Sequence, residues 1–197
     1  MTAKKRYDAL TGYRSEYLHQ ADIAARLTLP YLIHDVDDQQ RGGVRDIKTP
    51  WQSVGSKGVV TLASKLMLAL MPVQTSFFKL QVDDSQLGDV PPEIRTELDL
   101  SFAKVERTIM DAIAASDDRV VIHQALKHLV VAGNALIFMG KDGLKLYPLN
   151  RFVVDRDGNG NVIEIVTKEK IAKKLLADVI PDYEPPMQDQ DADREDD

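Results

Sequence analysis

Residues 5–29 place Leu10, Tyr13, Tyr17, Leu18, Ala21, Ala24, Ala25 and Leu27 at three- and four-residue steps, which predicts an amphipathic helix. Pro30 ends it, because the residue before a proline is disfavoured in the α region. Residues 34–49 are polar, carry Gly42-Gly43 and show no period, so they predict a loop long enough to serve a function. A second helix is predicted over 50–71. Thr49 can cap it, Pro50 suits the first helical position, and Gln52 stands three residues after the cap. Its expected apolar face is Val54, Val59, Leu62, Leu66, Ala69 and Leu70. Small residues at Gly55, Gly58 and Ala63 permit close approach of another element.

Phe78 to Val82 alternates apolar and polar as a half-buried strand does. The most regular helical pattern spans 92–116, where Ile94, Leu98, Phe102, Val105, Ile109 and Ile113 repeat by three and four. Ser116-Asp117-Asp118 interrupts it. A further helix over 119–132 turns Ile122, Ala125, Leu126, Leu129 and Val130 inward and stops at Gly133-Asn134. The pattern then shortens to β segments at 135–139, 144–147, 152–155 and 162–167, separated by turn residues. A helical turn or two is expected over 169–176. The fold class expected is α+β, amphipathic helices packed with a small, mostly antiparallel β element.

A length of 197 residues suits one or two domains. The net charge of −6 hides an asymmetry: residues 177–197 carry nine acidic side chains and one basic, Arg194, whereas residues 1–176 sum to +2. The expected organisation is a domain over 1–176 and an acidic, Pro- and Gln-rich tail or loop over 177–197 that buries too little apolar surface to order itself. A body at +2 makes no electrostatic case for tight nucleic-acid binding. The absence of cysteine excludes a disulfide scaffold, a thiolate zinc site and a cysteine nucleophile. The longest apolar stretch, Leu66 to Pro72, is far short of the roughly 20 residues that span a bilayer, so no membrane partner is expected.

Candidate chemistry is sparse. Gly55-Ser56-Lys57-Gly58 shares residues with a phosphate loop but lacks its spacing and its strand–helix context. Asp155-Arg156-Asp157-Gly158-Asn159-Gly160 offers Asp155, Asp157 and Asn159 at the spacing of calcium-loop ligands. Its twelfth position is Val166 rather than Glu, and its flanks are strand-like. A hairpin turn is therefore expected there, with no metal site. The histidines are His19, His34, His123 and His128. The last two are five apart and lie on different helix faces. No catalytic residue and no cofactor is assigned. A metal-dependent hydrolase at Asp155, Asp157 and Asn159 stands only as an alternative.

Thr49-Pro50-Trp51-Gln52-Ser53-Val54-Gly55, then Leu62 to Leu70 with Ser64 and Lys65, and Pro72-Val73-Gln74-Thr75, resemble the portal or head-to-tail connector of short-tailed double-stranded-DNA phages. The resemblance continues through Val105-Glu106-Arg107, Leu129 to Asn134, Lys145-Leu146-Tyr147, Val153-Val154, Gly160-Asn161-Val162 and Val166-Thr167. It covers roughly residues 7 to 172, in order. It implies the wing part of a dodecameric ring at a capsid vertex, through which DNA is packaged and ejected without sequence specificity. Implied partners are other copies of the chain, the major capsid protein, scaffold, terminase and tail adaptor. The implied location is the virion, assembled in the host cytoplasm. The residues carrying the resemblance, Thr49, Pro50, Trp51, Gln52, Gly55, Ser64, Lys65, Gln74, Gly133 and Asn134, are expected to serve packing or subunit contact. Family members are longer, and nothing after Leu176 resembles the stem, clip and crown that continue the chain in them. The alternative is an interaction protein that binds assembly partners without forming a channel.

Overall fold

The computed structural model describes residues 2–33, 50–72, 75–82, 91–141, 143–169 and 171. Thr49, Gln74, the expected loop over 34–49, the tail over 177–197 and nearly all of the expected turn over 169–176 lie outside the described residues. The chain divides into a unit Met1–Thr167 and a second unit from Lys168 onward. Every helix and strand among the described residues belongs to the first unit.

The element order is α1 (Ala3–Gly12), α2 (Ser15–Leu27), α3 (Val54–Leu70), α4 (Pro92–Ala115), α5 (Asp118–Ala132), β1 (Leu136–Gly140), β2 (Gly143–Tyr147), a 3-10 turn (Leu149–Arg151), β3 (Phe152–Arg156) and β4 (Val162–Thr167). The strands form two separate antiparallel hairpins, β1 with β2 and β3 with β4. The first runs in register from Leu136↔Tyr147 to Gly140↔Gly143. The second pairs Phe152↔Thr167 through Asp155↔Glu164, then shifts register so that Arg156 faces Val162. The class is α+β, with the β structure in two ribbons that each need a helix to cover one face.

The central element is α5. Three apolar clusters meet on it. Ala132 joins Ala21 of α2, Tyr147 of β2, Leu149 and Phe152. Leu126 joins Ala63 and Met67 of α3 and Met71 just past its end. Val130 and Val131 pack on Leu29, Leu32 and Val59. Leu149 and Val153 are the largest fully buried side chains. The turn residues expected between 147 and 152 thus form a 3-10 turn, Leu149–Arg151, that drives a leucine into the core.

Four expectations are corrected. The helix over 5–29 is two helices, broken at Tyr13-Arg14. Arg14 turns inward there and its guanidinium donates to the carbonyls of Leu149 (2.8 Å) and Phe152. The helix from Pro50 begins at Val54 instead, with Ser53 before it and Trp51 fully exposed. Its buried face is Val59, Ala63 and Met67, continued by Met71 just past its end, while Val54, Leu62 and Leu70 of the expected face are exposed. The reason is that α3 is apolar almost all round, so the neighbour α5, and not the pattern, selects the covered stripe. Third, Phe78–Val82 pairs with no strand among the described residues. The backbone N–H of Leu80 donates instead to the Glu106 carboxylate on α4. Fourth, on α5 it is His128 that is buried, while Leu129 is exposed.

The helix α4 matches its expected bounds, yet none of its residues is buried. Ile94, Val105 and Ile109 are exposed, and only its end reaches the core, through Ile113.

Candidate functional site

The residues singled out from the sequence sort into two groups in space. One group braces joints between helices. Gly133 closes α5 with φ of 72°, a left-handed conformation that glycine enters without a Cβ penalty. The Tyr17 hydroxyl of α2 donates to the Ala132 carbonyl at 2.5 Å and accepts from the Asn134 side-chain amide at 2.8 Å. A Cβ at Gly133 would lie 2.9 Å from that hydroxyl. Gly133 and Asn134 therefore work as a unit that locks the C-terminus of α5 to α2.

Gly55 plays the same part at the start of α3. A Cβ there would lie 2.9 Å from the Leu27 carbonyl oxygen and 3.2 Å from the Thr28 methyl. Only glycine lets α3 begin against the end of α2. Ser64, half-buried on α3, sits with its hydroxyl 3.3 Å from Nε2 of His123 on α5. Burial, then the charge of Lys127, pushes the His123 pKa below its ordinary value. Ser64 and His123 thus form a cross-brace between α3 and α5.

The other group faces solvent. Trp51, Gln52 and Lys65 are exposed, and Pro50 is half-buried. Alongside them on α3, Val54, Val60, Leu62, Leu68 and Leu70 are also exposed. Trp51 and these aliphatic side chains are thus open apolar surface.

The turn between β3 and β4 is the third feature. Gly160 takes φ of 86° in it. The Asp157 carboxylate accepts from the backbone N–H groups of Asn159 (2.9 Å) and Asn161 (2.7 Å) and from the Asn161 side chain (2.9 Å). These hydrogen bonds, the Asn161 side chain foremost, hold its pKa below the usual carboxylate value. Asp155 points the other way. With Glu164, its cross-strand partner, it is held by Arg6 of α1, whose Nε lies 2.8 Å from Glu164. Two carboxylates directly opposite across a ribbon repel each other, and the guanidinium between them removes that cost. Both aspartates of the calcium-like spacing are thereby engaged, one in tying α1 to the ribbon and one in shaping the turn.

Sequence reasoning missed Arg14 and Arg6. Arg14 also stands 5.6 Å over the Phe152 ring, and burial lowers its pKa. No local signal marks either arginine, because their partners are more than a hundred residues away. Tyr17 was legible as part of an apolar stripe, but not as a hydrogen-bonding anchor.

The arrangement supplies braces and an exposed apolar surface. Among the described residues no group of three or more His, Asp or Glu could hold a metal ion. No described helix is long and apolar enough to cross a membrane.

Comparison with known proteins fits this picture. The portal protein of Enterobacteria phage T3 is 41% identical over 86% of this chain and 32% of its own length. The portal protein of Escherichia phage T7 is 38% identical over 90% of the chain and 34% of its own length. That of Enterobacteria phage SP6 is 35% identical over 87% and 33%. The chain thus spans about a third of the length of the curated relatives it matches. The family described as "Bacteriophage head to tail connecting protein" matches residues 1–194, nearly the whole chain. The chain therefore belongs to the head-to-tail connecting, or portal, family of short-tailed phages.

Proposed function

We propose that this chain forms the wing-like part of a portal subunit, one of a dodecameric ring set at a capsid vertex. The ring conducts double-stranded DNA during packaging and ejection and does not read its sequence. The role is structural rather than enzymatic. Its partners are other copies of the subunit, the major capsid protein, scaffold, terminase and tail adaptor, and it resides in the virion after assembly in the host cytoplasm. The observation that carries the reading is the apolar surface of α3 and α4. A 24-residue amphipathic helix with no buried residue, together with a helix whose outer side is aliphatic, is the surface expected of a subunit that assembles. We assign subunit contact to Trp51, Gln52 and Lys65 with the exposed side of α3, together with the neighbouring residues Pro50 and 34–49. We assign packing to Gly55, Ser64, Gly133 and Asn134.

Mass photometry and negative-stain imaging at micromolar concentration test the proposal. Ring-sized particles are expected, and the fluorescence of Trp51 should lose its access to acrylamide on assembly. A persistent monomer would refute ring formation by this chain and favour an interaction protein that makes no channel.

A further inference from the structure

A cleft of about 380 Å³ opens where the segment after α2 (Tyr31 and Leu32), α5 and the 3-10 turn meet. Its polar lining consists of Tyr31, Gln124, Lys127, His128, Asn150 and Arg151. None of the described residues that line it is a carboxylate, and among the described residues neither Lys127 nor Arg151 forms an ion pair. His128 is almost wholly buried, and its Nδ1 has no hydrogen-bond partner among the described residues. Two cations and a buried imidazole side chain thus line one concavity.

Donors dominate the wall. A lysine brings three N–H groups and an arginine five, with no acceptor of their own; Gln124 and Tyr31 add further donors. A cavity that gathers donors, and whose two cations form no ion pair among the described residues, is complementary to an oxyanion, since charge-assisted N–H···O bonds are the strong ones. The donors come from three separate elements, so they reach a central group from several directions. A tetrahedral oxyanion offers oxygens in all of those directions, whereas a planar carboxylate offers two. The volume also exceeds what one small ion fills and lies at the lower end of the range for small-molecule sites.

We propose that this cleft is a phosphate site, with Lys127 and Arg151 supplying the charge, His128 and Gln124 completing the cradle, and Tyr31 bordering the space for the ester that carries the phosphate. No α3 residue lines the site, so its residues differ from the α3 residues assigned to subunit contact.

The test is a side-chain NMR titration of the 197-residue chain with inorganic phosphate at constant ionic strength, tracking the Lys127, Arg151 and His128 signals. Saturable shifts at these residues are expected, with half-saturation in the millimolar range or below. Replacing Lys127→Gln and Arg151→Gln together should weaken binding about tenfold or more, as two lost charge contacts imply. Lys104→Gln, on the exposed side of α4, should leave it unchanged, and circular dichroism checks that each variant is folded. A nucleoside monophosphate and a short DNA duplex then distinguish a small phosphate ester from a nucleic-acid backbone as the source: whichever displaces inorganic phosphate at lower concentration is the better fit. Shifts that rise linearly with phosphate, or that persist in the doubly substituted variant, would overturn the proposal.

Discussion

Replacing Gly133→Ala probes the lock between α5 and α2. The backbone there is left-handed, with φ of 72°, and an alanine in that region costs about 1–2 kcal/mol. The new Cβ would stand 2.9 Å from the Tyr17 hydroxyl, closer than any relaxed contact. That hydroxyl is the far end of a side chain, but it is tied by hydrogen bonds to Ala132 and Asn134. Moving it gives up those bonds, each worth about 0.5–1.5 kcal/mol. Tyr17 is 41% exposed, so water replaces part of the loss, and about 1 kcal/mol is the fair total for the pair. The substitution should therefore cost about 2–3 kcal/mol, which for a chain of this size lowers Tm by roughly 4–12 °C. Tyr17→Phe removes the hydroxyl and should by itself cost about 1 kcal/mol. In that background Gly133→Ala no longer meets the hydroxyl and should cost only the conformational part, about 1–2 kcal/mol. Urea unfolding monitored by circular dichroism, run as a double-mutant cycle, reads the difference. If Gly133→Ala costs the same in both backgrounds to within about 0.5 kcal/mol, the Tyr17 hydroxyl does not form a steric and hydrogen-bonded lock with Gly133.

Two glycines one turn apart on α3 should respond with opposite signs. Gly55→Ala forces a Cβ to 2.9 Å from the Leu27 carbonyl and should destabilise by about 1–3 kcal/mol, whereas Gly58→Ala meets nothing within 4 Å and should stabilise by about 0.5–1 kcal/mol; thermal melts compare them. Burial pushes the His128 pKa below its ordinary value of 6.5, so the folded state favours the neutral ring. The unfolded chain then takes up the proton first: this contribution to stability is complete above pH 6.5 and is lost as pH falls below it. Urea midpoints between pH 7.5 and 5 should drop in the wild type and drop less in His128→Gln; an unchanged slope would reject the assignment. Arg6→Ala should release α1 from the β3–β4 ribbon. Amide exchange should quicken in α1 with little change in global Tm, since the pair with Asp155 and Glu164 lies at the surface; uniform loss of protection would instead make Arg6 part of the cooperative core.

The sequence-based expectation failed where a single stretch of chain offers too little information. For α4 it named the bounds well, because a proline at the first position and a clean three-and-four repeat are local signals. It did not show that Ile94, Val105 and Ile109 of the apolar stripe lie open, because burial depends on what else the chain brings near. For α3 it named the wrong stripe, because a helix apolar on nearly every side has no intrinsic inside. The break between α1 and α2 was invisible for a different reason. Arg14 leaves the helix to reach carbonyls at 149 and 152, and a contact across more than 130 residues leaves no periodic trace.

The site shows the same division. Gly133-Asn134 was readable as a helix stop because glycine tolerates the left-handed conformation there. That the stop is also the seat of the Tyr17 hydroxyl required the fold. The Asp157 turn was readable because Asp, Asn and Gly close a hairpin by local hydrogen bonds. The engagement of Asp155 by Arg6 was not, since α1 and β3 meet only in space.

Taken alone, the order of amino acids determined the family, the α+β class, the bounds of α4 and α5 and the β hairpins. Each of these rests on local periodicity, turn chemistry or a run of matched residues. Only the tertiary structure decided which faces are covered and which stay open, where the arginines reach, and that Lys127, His128 and Arg151 border one cleft. Those outcomes depend on packing between distant segments, and packing energy is a property of pairs of surfaces that no single segment contains.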